Sequence, residues 1–517
     1  MQLNKQALEN TEFFADRKIK LPVRFPANTA PCWVHFGAGN IFRGYIARLQ
    51  QELLDLGLSD RGIIAVDPDR DMLEKVYDAH DNLTLLVSLG GDGNTDLSVI
   101  GSVNEAVYSG DWARLREIFI SDTLQLCTFT ITEKGYSLGA QADVDTQNAP
   151  CKAKNTMCLV CALLYERYKA SQLPLAVVSI DNCSRNGEKL SRAIRTAAEQ
   201  YVQNQQMEAG FLDYLKDEKK VSFPWSMIDK ITPRPDDAIG QMLESKGLEG
   251  MLPLQREHGA PTAPFVNAEQ DEYLVMEDAF PAGRPPLEKA GVYMTDRKTV
   301  NLSERMKVTA CLNPLHTAMA TLGCMLGYTR ISAMMQDEDV VRLIRAIGEE
   351  GMRVVQDPGI ISPRAFITRL LENRLPNPYI PDMPQRIASD TSQKVGIRYG
   401  ETIKAYLASD LLSEGELKAI PFAIAAWLRY LLKKDDLLQD MPLSPDPMLE
   451  ELTGILQSIT PGMPDTLDEA AVDKILSNEA IFGSNLCNTL LRDQILNTFT
   501  KMLEGKGAVR RALHEAV

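Results

Sequence analysis

Lys307, Asn313 and His316 fall close together in the segment ERMKVTACLNPLH. A lysine can act as a general base if burial depresses its pKa. An asparagine amide can donate to a developing oxyanion. A histidine can hold or polarise a reacting oxygen. The three together suit interconversion of an alcohol and a ketone. Asn313 and His316 are three apart and share a helix face, as do Glu304 and Lys307. On these residues alone the segment also fits an amphipathic helix with a solvated lysine and a satisfied histidine.

A second group of residues reads as a phosphate-binding turn. In HFGAGNIFRGY, Gly37 and Gly39 form a G-x-G pair between an apolar run and a helical stretch. Such glycines permit a tight turn and let the backbone approach a pyrophosphate at a helix N-terminus. Phe42 stands where the third glycine of the fingerprint is expected, and Gly44 follows it. The next apolar run, GIIAVDP, ends in Asp67. An acid there accepts hydrogen bonds from an adenosine ribose and repels a 2′-phosphate, which favours NAD. Arg70 nearby keeps NADP as the alternative.

Elements of two kinds must position these residues. CWVHF, GIIAVD, LTLLVSL, LQLCTFTIT and LAVVSID read as strands, alternating with the helical IFRGYIARLQQELLDLG, DRDMLEKVYDAH and TMCLVCALLYERYKAS. That order predicts an α/β fold with a parallel sheet covered on both faces. From about residue 298 the patterns are helical, with strand-like alternation nearly absent. The expected organisation is a Rossmann-like dinucleotide-binding domain over 1–297 and an all-α domain over 298–517.

Composition narrows the function classes. The 517 residues are 44% apolar and 24% charged, with 55 Lys plus Arg against 70 Asp plus Glu, a net charge of −15. That excess of acid argues against non-specific nucleic-acid binding. No apolar run reaches the roughly 18 to 20 residues that span a bilayer. The N-terminal residues lack a signal-peptide h-region, and the nine cysteines are odd in number and scattered. A cytoplasmic protein is expected. Cys158 and Cys161 read as buried thiols on a helix. His35, His80, His258, His316 and His514 fall in no paired metal spacing, so the expected mechanism uses no metal.

Six further segments carry a resemblance. GAGNIFRGY, TITEKGY, SIDNCSRNG, FPWSMIDKITP, VMEDAFPAGRP and RIASDTSQK occur in that order. They resemble motifs of the polyol-specific long-chain dehydrogenase/reductase family over roughly residues 30 to 500. The resemblance implies that Gly37, Gly39, Asn40, Ile41, Phe42, Asp67, Thr132 and Glu133 contact the cofactor. It implies Lys307 as the general base, Asn186 and Asn313 as donors to the substrate oxygen, and His316 as the residue that orients it. Glu304 would relay the proton to solvent, and Asp229, Arg386 and Lys394 would bind the rest of the substrate. The implied reaction is metal-independent hydride transfer to or from a small open-chain sugar acid or polyol. The preferred pair is D-fructuronate and D-mannonate, with mannitol/fructose and tagaturonate/altronate as alternatives. Trp225 stands where the mannitol enzymes often have asparagine, which would remove an amide that could bond a terminal hydroxyl. A non-catalytic nucleotide-binding regulator is the rival from another class; it need not keep Lys307, Asn186 and Asn313 together.

One departure has a geometric consequence. The family commonly places asparagine five residues after the lysine; here the interval is six. At about 100° per residue, a regular helix would set Lys307 about 180° from His316. The extra residue is absorbed most simply as a π-bulge. Pro314 would clash with the carbonyl of Ala310 in an unbroken helix. An irregular helix between Lys307 and Pro314 is therefore expected, with the Lys307 amine turned to the same cavity as Asn186, Asn313 and His316, and with Arg386 and Lys394 adding a basic lining to that cavity.

Overall fold

A computed structural model describes residues 1–91, 94–257 and 260–516. His258 lies outside the described residues. The chain divides into two compact units, Met1–Asn301 and Leu302–Val517.

The first unit is built on a six-stranded sheet of β1 (Asn28–Phe36), β2 (Arg61–Asp67), β3 (Val103–Tyr108), β4 (Leu126–Phe129), β5 (Leu175–Ser179) and β6 (Val221–Ser222). The order is β3-β2-β1-β4-β5-β6, and every neighbouring pair is parallel. Side chains alternate across the pleat. Val34, Phe36, Ile64, Val66, Cys127 and Phe129 face the helices Trp112–Ile120, Thr156–Ala170 and Asn186–Gln203. Trp33, Ile63, Ala65, Leu126 and Val178 face the helix Ala47–Asp55 and the turn Leu73–Tyr77. Burial on both faces explains why these strands read as continuous apolar runs. After β3 the chain crosses to the other side of β1, so the loops leaving β1 and β4 diverge at the carboxyl edge. That divergence is where a doubly wound sheet binds its ligand.

Two features differ from the sequence reading. LTLLVSL forms the strand Thr84–Leu89 outside the Rossmann sheet, in a four-stranded sheet with Ile19–Lys20, Thr95–Ile100 and Phe265–Glu269. Its place in the parallel sheet is taken by β3, VNEAVY, an edge strand that buries only Val103 and Val107. A half-exposed edge needs no apolar run, so the sequence carried little signal for it. A third sheet joins Ser226–Asp229, Tyr273–Glu277 and Tyr293–Thr295.

The second unit is helical, with no strand ladder among the described residues. Asn313–Met325 and Ala419–Tyr430 form its centre and are buried almost all round. Glu338–Met352, Pro384–Ile387 and Leu491–Met502 pack against them. The helix Arg297–Met306 does not run on into Asn313–Met325: a π-turn occupies Lys307–Cys311 and the chain breaks at Leu312. This is the irregularity expected from the extra residue and Pro314. The Leu312 amide reaches back five residues to the Lys307 carbonyl at 3.0 Å. Pro314 falls in the first turn of the new helix, where a missing N–H costs nothing.

Candidate active site

In the first unit the turn after β1 is built for close backbone approach. Gly37 has φ +97°, and a Cβ there would lie 2.2 Å from the Thr130 carbonyl oxygen, so only glycine fits. Gly39 differs: a Cβ there would meet no atom within 4 Å, which leaves open space above the backbone at the start of the helix. A pyrophosphate fits that space and that helix end. The helix then opens as a π-turn at Phe42–Ile46. Phe42 is fully buried and stacks on His35 with ring centroids 4.3 Å apart. The close-packing glycine is Gly44, whose Cβ would come within 2.8 Å of Val266. The widened first turn thus accounts for the displaced fingerprint.

Polar groups hold this turn in place. Asp67, at the end of β2, accepts from the Ala38 and Asp69 amides, each at 2.9 Å. Burial pushes its carboxyl pKa up, and the two amide bonds pull against that shift. Each oxygen keeps an acceptor site for a ribose hydroxyl. Asp69 pairs with Arg256 at 2.9 Å, and the Arg70 guanidinium lies 3.9 Å from the Tyr108 ring centroid. His35 bridges Thr128 and Thr130 at 2.7 and 2.8 Å, and burial lowers its pKa to about 3, so it is neutral. Asn40 accepts from Arg43 at 3.0 Å and donates to the Pro233 carbonyl at 3.3 Å. Ile41 is half-buried beside it.

After β4, Thr132 takes the left-handed conformation at φ 64°. Its amide and that of Ile131 donate to the Asp181 carboxylate at 2.8 and 3.0 Å, and the Tyr136 hydroxyl adds a third bond at 2.5 Å. Asp181 was missed as a site residue; its signal was its place in SIDNCSRNG, beside Asn186. Glu133 is exposed and paired with Lys189.

Asn186 is fully buried. Its amide nitrogen faces the Ser179 and Asp181 carbonyls and the Ser226 hydroxyl at 3.2, 3.1 and 2.9 Å, and its oxygen accepts from the Ser226 amide at 3.0 Å. Asp229 ends the same strand that Asn186 holds, and it is buried. Trp225 carries the guanidinium groups of Arg185 and Arg297 at 5.5 and 5.7 Å from its ring. Its ring thus neighbours two cations.

In the second unit the π-turn carries Lys307, which is 2% exposed. Asn313 and His316 open the following helix and are half-buried, as is Glu304. Around His316 gather Asp382, with its carboxylate 3.9 Å from Nε2, and the cations Arg374, Arg386 and Arg398. Burial first, then the three guanidinium groups, lower the His316 pKa to about 4 against the pull of Asp382. The ring is neutral near pH 7, and its buried Nε2 has no hydrogen-bond partner among the described residues. Arg386 is paired with Asp382 and is exposed, whereas Lys394 donates to the Ser389 carbonyl. Burial and the charges of Arg398 and Arg386 hold the Lys394 pKa below its ordinary value. Arg386 and Lys394 thus belong to one basic cluster with His316, joined by Arg374 and Arg398, which the sequence reading missed. Both missed arginines ride on further π-turns, Leu370–Arg374 and Gly396–Gly400. Among the described residues, no group of three or more His, Cys, Asp or Glu side chains could hold a metal ion. No described helix is long and apolar enough to cross a membrane.

A Rossmann sheet with this turn, followed by a helical unit carrying a buried lysine, defines a dinucleotide-binding dehydrogenase. The family model described as "Mannitol dehydrogenase Rossmann domain" matches residues 32–289, and "Mannitol dehydrogenase C-terminal domain" matches 300–503. The chain belongs to the mannitol dehydrogenase family. It is 46% identical to the D-mannonate oxidoreductase of Thermotoga maritima, over 100% of this chain and 99% of that one. It is 28% identical to the mannitol 2-dehydrogenase of Pyrenophora tritici-repentis, covering 92% of this chain and 80% of the relative. Among solved structures, the ternary complex of Pseudomonas fluorescens mannitol 2-dehydrogenase with NAD and D-mannitol matches with TM-score 0.73 and 26% identity, over 100% of this chain and 99% of that one.

Proposed function

We propose that the protein is a cytoplasmic, NAD-dependent oxidoreductase that interconverts D-mannonate and D-fructuronate. The observation that carries the choice of a sugar acid is the basic cluster around a neutral His316 in an acidic chain. Charge complementarity there favours a carboxylate over a neutral polyol. The full-length likeness to a D-mannonate oxidoreductase supports the same choice.

When bound, the nicotinamide exchanges a hydride with the substrate carbon. Lys307 takes the hydroxyl proton during oxidation and returns it during reduction, and Glu304 passes that proton towards solvent. Asn313 donates to the developing oxyanion. Asn186 becomes the second donor when a substrate oxygen replaces one of the two backbone carbonyls that share its amide. The unpartnered Nε2 of His316 bonds and orients the reacting oxygen. Asp229, Arg386 and Lys394 bind the remaining hydroxyls and the far end. In the cofactor turn, Gly37, Gly39, Asn40, Ile41 and Phe42 shape the pyrophosphate seat, and Thr132 and Glu133 border it. Asp67 binds the adenosine ribose. Arg70 is already placed against Tyr108, and the Asp67 carboxylate would repel a 2′-phosphate, which supports NAD over NADP.

The test follows nicotinamide absorbance with purified protein, NADH or NADPH, and D-fructuronate, D-tagaturonate or D-fructose. The expected result is rapid NADH loss with fructuronate. Faster turnover of fructose would return the reading to a mannitol dehydrogenase; cofactor binding without turnover of any of the three would favour a regulator.

A further inference from the structure

We propose that Arg398 reads the carboxylate of the substrate and so separates hexonates from neutral polyols; this rests on the sugar-acid reading above. The cations of the cluster are not equivalent. Arg386 is exposed and already neutralised by Asp382, and Lys394 is held by the Ser389 carbonyl. Arg398 is half-buried, and no carboxylate lies within ion-pair distance of it among the described residues. Among the described residues its guanidinium makes one hydrogen bond, from Nη1 to the Thr317 hydroxyl at 2.5 Å. Thr317 is 2% exposed and directly follows His316.

A buried guanidinium without a counter-charge is costly, and the cost falls when an anion arrives. Burial alone draws the Arg398 pKa down to about 10, which still leaves it charged near pH 7. Its fork suits two parallel hydrogen bonds to a carboxylate. The side chain also stands on a fixed support. Gly396 and Gly400, at the two ends of its π-turn, pack so closely that a Cβ would lie 2.6 Å from the Ile481 carbonyl and 1.9 Å from that of Phe482. The neighbouring Tyr399 hydroxyl donates to the Pro314 carbonyl at 3.0 Å, which ties this turn to the helix of Asn313 and His316. A neutral polyol would leave Arg398 desolvated and unpaired, and such a penalty discriminates more strongly than an added contact.

Arg398→Met and Arg398→Lys are compared with wild type at saturating NAD, with D-mannonate and D-mannitol as substrates. In Arg398→Met, the mannonate KM is expected to rise roughly 100-fold, the scale for loss of one partner of a buried charge pair. kcat should change far less, NADH binding should stay, and Arg398→Lys should recover part of the loss. A mannonate KM within about threefold of wild type in Arg398→Met would remove Arg398 from recognition. If that variant does not fold, the wild-type holoenzyme decides. Phenylglyoxal labelling of Arg398, mapped by mass spectrometry, should be blocked by mannonate and not by mannitol; equal labelling overturns the assignment. The two readings fail differently. Wild type that oxidises mannitol and no hexonate overturns the sugar-acid reading and this assignment with it. Wild type that prefers mannonate, with Arg398→Met keeping that preference, overturns this assignment alone.

Discussion

Around the turn after β1, most buried polar groups answer one another, with Arg43 Nε the exception among the described residues. Asp67 holds two backbone amides, Asp181 holds two more and a tyrosine hydroxyl, and His35 is bonded at both ring nitrogens. Around His316 they do not: Nε2 has no hydrogen-bond partner, and Arg398 has no counter-charge among the described residues. The first region is a nearly complete hydrogen-bonded shape, which in the proposed function a cofactor enters without rearranging its walls. The second is an arrangement of unmatched groups and charge that, in the proposed function, a ligand bringing an oxygen and an anion completes. Buried polar groups left unmatched are expensive; single ones occur elsewhere in the chain, but around His316 an unmatched ring nitrogen lies within a cluster of cations.

The largest break in that comparison is Lys307→Ala. Loss of a general base typically lowers the rate by about 10² to 10⁴-fold. The cofactor turn belongs to the other unit, so NADH binding should stay near wild type by fluorescence titration. A variant that keeps more than about a tenth of kcat would exclude Lys307 as the base.

A second break attacks the finished shape. Gly37→Ala sets a Cβ against the Thr130 carbonyl at a backbone angle alanine disfavours. Such strain costs on the order of 1–3 kcal/mol, enough to weaken NADH binding by about tenfold or more. The chemical step at saturating cofactor should suffer less. An unchanged NADH Kd would show that this turn does not face the dinucleotide.

Much of this was legible in the sequence, and unevenly. Strands buried on both faces announce themselves as apolar runs, so β1, β2, β4 and β5 could be read directly. The edge strand β3 could not, because half of it is wet. The helix break after Lys307 was legible because two independent facts agreed: one residue too many and a proline four residues past Ala310. Arg374 and Arg398 were illegible. A lone arginine in a helical stretch reads as a solvated charge, and only the fold shows that Arg398 is turned inward and left unpaired.

Asp67→Ala sharpens the cofactor half with a moderate effect. In the proposed function its carboxylate binds the ribose diol, so NADH should bind about tenfold more weakly and NADPH should improve. Wild type that already prefers NADPH would transfer the discrimination to Arg70.

The smallest effect is a pH dependence. In the unfolded chain the His316 imidazole ionises near its ordinary value of 6.5; in the fold, burial and the charges of Arg374, Arg398 and Arg386 bring this to about 4, against Asp382. The folded state therefore binds this proton less readily than the unfolded state. The stability held by the neutral ring is complete above pH 6.5 and is lost progressively as pH falls towards 4. The full span is worth at most about 3 kcal/mol. His35, shifted the same way in the other unit, adds a similar slope, so the readout is the difference between wild type and His316→Gln. Chemical melts at pH 7 and pH 4.5 should show a smaller loss in the variant. Mannonate should reduce the wild-type loss further, because a carboxylate at Arg398 cancels one of the charges that oppose His316 protonation. Equal losses in wild type and variant would mean that His316 meets water freely, and its region would then be as well matched as the turn after β1.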